Sequence, residues 1–179
     1  GAASICTMYS DDEAPPFFLF FSLSMGGYVA MEIMRKAPER VLKLAMIDTM
    51  VRPDDEARAK ARRGLLTLAQ LGRFKGVTPQ LLPRLVHPRC IGTTIADTVQ
   101  EMAEAVGKEG FVRQQLAIIE RPDYRPLLKS IVVPTLIVVG ESDEITPPVE
   151  SEEIHRGITH SRLVVVPQCG HLPPLEHPQ

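Results

Sequence analysis

The sequence predicts an α/β fold with a mainly parallel sheet, helices on both faces and a helical insertion. Three observations carry this. Short apolar runs at 17–21, 41–47, 134–139 and 162–166 read as strands. Helical periodicity separates them, so strand, tight turn, helix and strand follow within about 30 residues near the start, which is one βαβ unit. Residues 53–130 then change character, before the α/β pattern returns.

Phe17-Phe18-Leu19-Phe20-Phe21 is a continuous apolar run after Pro15-Pro16, as suits a strand buried on both sides in a parallel sheet. Gly26-Gly27 opens a helix carrying Tyr28, Val29, Met31, Ile33 and Met34, apolar nearly all round and hence expected in a core. Arg35-Lys36 complement its C-terminus and Pro38 stops it. Val41 to Ile47 is the next strand, ending at Asp48-Thr49.

After Pro53 and the acids 54–56, a helix carries Leu65, Leu66, Leu68 and Leu71. Its basic residues Arg58, Lys60, Arg62 and Arg63 read as a solvated face. Pro79, Pro83 and Pro88 interrupt the chain beyond that helix. Val99, Met102, Ala103 and Val106 resume helical spacing, and Gly107 and Gly110 interrupt it before Val112, Leu116 and Ile119. The division expected is a core of 1–52 and 131–179, with 53–130 as a helical cap lying where a lid over a site would be placed. Pro134 to Val139 is then a strand, Pro148 to Arg156 a helix, and Arg162 to Val166 a strand.

The chain of 179 residues allows one domain with a sizeable core. Its net charge of −2 suggests neither nucleic acid nor an anionic membrane as partner. No apolar stretch reaches the roughly 20 residues of a membrane span. Cys6, Cys90 and Cys169 are odd in number and far apart, which favours free thiols in a reducing compartment. A soluble, cytoplasmic protein is expected.

Three strand ends carry reactive side chains in the order Ser24, Asp143, His171. A serine hydroxyl is a weak nucleophile at neutral pH. It needs an imidazole to take its proton and a carboxylate to hold that imidazole's tautomer. Ser24 sits at the apex of a strand-to-helix turn, with small residues two before and two after, Ser22 and Gly26. Ser22 is the rival hydroxyl, though it falls within the strand. The backbone N–H of Met25, at the helix start, would be one oxyanion donor. For the acid, Asp143 is preferred, with Asp48, Glu141 and Glu144 as rivals; Asp48 reads equally as a turn or cap residue. His155, His160, Cys169, His171 and His177 cluster late in the chain without zinc-like spacing, so no metal is expected. Gly26-Gly27 lacks the rest of a phosphate loop, and no cofactor is expected.

The run from Ser24 to Glu32 with Ala37-Pro38-Glu39-Arg40-Val41 resembles the nucleophile-elbow region of the α/β-hydrolase superfamily, notably its bacterial esterase and lactonase-like branch. Pro134 to Asp143 with Thr146-Pro147-Pro148 resembles that family's acid loop, and Gly170 to Glu176 its histidine loop. The resemblance implies a serine-hydrolase mechanism on a small-molecule acyl substrate. Two departures stand out. Ser22 replaces the usual first glycine, and the family's early strands and second oxyanion donor are not found in residues 1–14. The chain thus reads as the C-terminal portion of such a protein. The strand at 17–21 is expected at an exposed edge, to be covered by a second copy, another chain or a preceding N-terminal segment.

Overall fold

A computed structural model describes residues 18–178. The expectations for residues 1–14 and for Phe17 lie outside these described residues. Four parallel strands form one sheet in sequential order: β1 (Phe18–Leu23), β2 (Val41–Ile47), β3 (Thr135–Gly140) and β4 (Ser161–Val166). β1 reaches two residues beyond the apolar run, because Ser22 and Leu23 continue the pairing opposite Met46 and Ile47.

Helix α1 (Met25–Lys36) links β1 to β2, and α5 (Pro148–Gly157) links β3 to β4. Strand side chains alternate between faces. Phe20, Leu44, Met46 and Ile137 project to one side, where Tyr28, Met31 and Met34 of α1 and Ile154 of α5 close a single core over them. The same core receives both crossover helices. The opposite side presents Leu19, Phe21 and Leu136, each well exposed among the described residues. α1 is less uniformly buried than its composition suggests. Val29 is exposed, and Glu32 pairs with Arg35 at 2.7 Å on the outer face.

Between 53 and 130 the described residues form helices, short 3-10 turns and connecting loops. α2 (Glu56–Gln70) starts at Asp55, whose side chain accepts the Arg58 N–H at 2.8 Å, an ordinary N-cap. α3 (Leu82–Leu85) is one turn between prolines. α4 (Thr94–Ile119) breaks at Gly107, whose φ of 64° and ψ of −178° leave the helical region. The expected solvated basic face of α2 is only partly so. Arg62 pairs with Asp54 at 2.6 Å and donates to Gln115 of α4 at 2.8 Å. Asp54 also pairs with Arg121, which is buried and stacks 4.6 Å over the Tyr28 ring. Burial opposes the Asp54 charge, yet Arg121 and Arg62 hold its carboxyl below the usual carboxylate range. A buried carboxylate must be paired, and here the pairing draws basic residues inward. No helix among the described residues is long and apolar enough to cross a membrane.

Candidate active site

The C-terminal ends of all four parallel strands lie at one edge of the sheet, where open α/β sheets place their sites. At the end of β1 the chain turns sharply into α1. Ser24 takes φ 53° and ψ −118°, a conformation that L-residues rarely adopt and that needs outside support. Its N–H donates to Ile47 O at 2.9 Å, and Thr49 Oγ1 donates to Ser24 O at 2.8 Å. Thr49 also explains Gly27, since a β-carbon there would lie 2.7 Å from the threonine methyl. The serine apex is therefore clamped from the end of β2.

Beyond β3, a loop carries Asp143, and beyond β4 another carries His171; both side chains are buried. His171 Nδ1 donates to Asp143 Oδ2 at 2.8 Å, which leaves Nε2 free to accept from Ser24 Oγ, also at 2.8 Å. Asp143 takes three further donors: the N–H groups of Ile145 (2.8 Å) and Thr146 (3.1 Å) and the Thr146 hydroxyl (2.7 Å). Burial works against its charge, but the bond to His171, its charge and Thr146 outweigh that and hold the carboxyl below the usual range. Met25 opens α1, so its N–H is one of those that a helix leaves without an internal partner.

The rival residues are turned to other tasks. Ser22 Oγ donates to Ala45 O at 2.8 Å within the sheet. Glu141 is exposed and accepts the Gln168 N–H at 3.1 Å. Glu144 is exposed and lies 3.6 Å from Arg84. Asp48 is fully buried at the end of β2 and accepts the Gly140 N–H at 2.8 Å. Of the late histidines, His155 bonds Ser161 Oγ at 2.8 Å and His177 lies 2.6 Å from an Arg89 nitrogen. Among the described residues, the one gathering of three metal-ligand-type side chains is Asp48, Asp143 and His171 themselves. Asp143 and His171 are already directed at each other.

Sequence reasoning missed Glu176. Its buried carboxylate accepts N–H groups from His87 (2.8 Å), Gly170 (3.0 Å) and Leu172 (3.3 Å). It thus brackets both neighbours of His171 and ties them to the chain after α3. The His171 N–H itself donates to Leu85 O at 3.1 Å, so α3 holds the histidine loop directly. Gly170 has no room for a β-carbon, which would lie 2.7 Å from the His87 nitrogen. The signal available was an acid five residues after a strand-end histidine, among prolines. An acid there reads by default as surface.

A serine on a strained strand-to-helix turn, followed in chain order by an acid and a histidine at later strand ends, is the arrangement of α/β-hydrolase-fold proteins. The chain belongs to the alpha/beta hydrolase family, whose model matches residues 3–179. It is 30% identical over 171 residues to the pimeloyl-[acyl-carrier protein] methyl ester esterase of Neisseria meningitidis serogroup B, covering 92% of this chain and 65% of that one. It is 28% identical over 170 residues to 3-oxoadipate enol-lactonase 2 of Acinetobacter baylyi, covering 92% and 60%. A thermophilic esterase from Thermogutta terrifontis superposes with a TM-score of 0.84 at 34% identity, over 91% of this chain and 61% of that one. The chain spans just under two thirds of the length of these relatives.

Proposed function

We propose that the protein is a serine hydrolase cleaving a small carboxylic ester, lactone or related acyl compound. The observation that carries the reading is the unbroken hydrogen-bond chain Ser24 Oγ, His171 Nε2, His171 Nδ1, Asp143 Oδ2, with 2.8 Å at both inter-residue links. In this reading Ser24 attacks the acyl carbonyl while His171 takes its proton. Asp143 fixes the tautomer and stabilises the imidazolium that forms. The negative charge developing on the carbonyl oxygen is met by the Met25 N–H at the start of α1. His171 then gives its proton to the leaving alkoxide, and water repeats the sequence on the acyl-enzyme.

Residues 53–130 act as a cap in this reading. Leu23 and Leu172, the neighbours of Ser24 and His171, pack into a second apolar cluster with Leu82, Val86 and Val99 of that region. An apolar wall beside the nucleophile suits the hydrocarbon part of an acyl substrate. The esterase and lactonase names of the relatives agree with an ester-type bond. A fluorophosphonate probe tests the mechanism. Labelling of Ser24 in the purified protein, absent from Ser24→Ala, is expected, together with turnover of short acyl esters or lactones. Labelling elsewhere, or turnover that survives Ser24→Ala, overturns it.

A further inference from the structure

We infer that Asp48 is carried as a neutral carboxylic acid that shares its proton with Asp143, making it a positioning residue behind the Ser24–His171–Asp143 chain. The inference rests on the hydrolase reading for its catalytic consequence, though not for the shared proton itself. Asp48 is fully buried. Its Oδ1 accepts the Gly140 N–H at 2.8 Å, while among the described residues no hydrogen-bond partner reaches Oδ2. One oxygen of Asp48, one of Asp143 and a ring nitrogen of His171 all lie within 4.8 Å of one another.

An ionised carboxylate with an orphaned oxygen, buried beside a second carboxylate, is doubly penalised. A proton on Oδ2 removes both penalties. It turns the orphaned acceptor into a donor, and the Asp143 carboxylate, an oxygen of which lies within 4.8 Å of one of Asp48, is the acceptor it would serve. The proton belongs on Asp48 because the environments differ. Asp143 has four donors, one of them the His171 ring. Asp48 has one. The titratable groups facing Asp48 are Asp143 and His171 from the two neighbouring loops, Glu176 at the end of the short helix Pro173–Glu176, and the Cys169 thiol. Among the described residues no lysine or arginine hydrogen-bonds or ion-pairs with it. Burial first, and the Asp143 charge second, push the Asp48 carboxyl up to about 9.

Neutral Asp48 does two things for His171. It donates to Asp143 and so helps fix the carboxylate that orients the imidazole. It also keeps a second negative charge out of the site. Ionised Asp48 would stabilise the imidazolium, and His171 would then hold the proton it must give to the leaving group. Turnover should therefore fall as pH rises through about 9.

Asp48→Asn keeps the shape, and its amide can donate where the acid did. Asp48→Ala removes the donor and strands the Gly140 N–H. Infrared spectra of the purified protein at neutral pH should show a protonated-carboxyl carbonyl band, absent from Asp48→Asn and lost in wild type above about pH 9. In pH–rate profiles, Asp48→Asn should turn over about tenfold faster than Asp48→Ala at neutral pH, a difference of roughly one buried hydrogen bond. It should also lack the wild-type alkaline limb. Absence of the band overturns the shared proton even if Ser24-dependent hydrolysis is robust. So does a folded Asp48→Asn as impaired as Asp48→Ala, or one that keeps the alkaline limb. The band present in a wild type without Ser24-dependent hydrolysis would sink the hydrolase reading and leave the shared proton standing.

Discussion

The ends of β2 and β3 are adjacent in one parallel sheet, and each presents a buried aspartate at the same edge. Asp48, at the β2 end, receives one backbone N–H, and its other oxygen has no partner among the described residues. Asp143, past the β3 end, receives two backbone N–H groups, a threonine hydroxyl and an imidazole N–H. Burial raises the pKa of either carboxyl. At Asp143 the donors outweigh it, and at Asp48 they do not, so the two move in opposite directions. Residue type and place at the sheet edge are shared. The count of donors aimed at each carboxyl separates a fixed anion from an acid that holds its proton.

The most direct way to break this comparison is to remove each acid in turn. Asp143→Ala should lower kcat by about 10⁴-fold, the loss seen when a triad acid is disabled, measured on a reactive ester with folding checked by circular dichroism. Asp48→Ala should lose far less. Were their order reversed, the two strand ends would have to exchange roles.

Glu176→Ala tests what holds the His171 loop against the β3 end. It leaves the His87, Gly170 and Leu172 N–H groups without their acceptor. Buried unpaired donors cost about 1–3 kcal/mol each. A loss of at least about 3 kcal/mol in chemical denaturation is expected, with a wild-type melt arguing that water replaces the carboxylate.

Stability against pH sharpens the comparison, because the two acids carry opposite signs. Asp143, depressed in the fold, contributes stability that is present above its unfolded value near about 4 and lost as pH falls through its lower folded value. Asp48, raised in the fold, contributes stability present below about 4 and lost progressively as pH rises toward about 9. The stability of Asp48→Asn relative to wild type should therefore grow from acid to alkaline pH in denaturant titrations. A constant difference would mean that Asp48 is already ionised. The smallest effect expected is that of Thr146→Val, which deletes one of the four Asp143 donors. It should cost about 1 kcal/mol of stability or of transition-state stabilisation, seen as a few-fold drop in kcat/KM.

Much of the edge was legible in the chain. Apolar runs bounded by turn residues marked the strands, since both signals act within a few neighbouring residues. They put Ser24, Asp48, Asp143 and His171 at strand ends and showed Ser22 within a strand. The β1 boundary moved to Leu23 because pairing with β2, not local apolarity, ends that strand. Arg62 reads as part of a solvated face, whereas in the fold it pairs with Asp54, whose buried side chain also binds Arg121. Glu176 closes the run that resembles a histidine loop, but the N–H groups its carboxylate accepts come partly from His87, far away in the chain. The sequence by itself determined which side chains stand at the sheet edge, because periodicity and turn chemistry are local. Only the tertiary structure decided which aspartate meets His171, 28 residues away, and which meets the Gly140 N–H across 92 residues. Those pairings depend on how loops from separate strands fall against one another, and a carboxyl's charge depends on the donors that the packing brings to it.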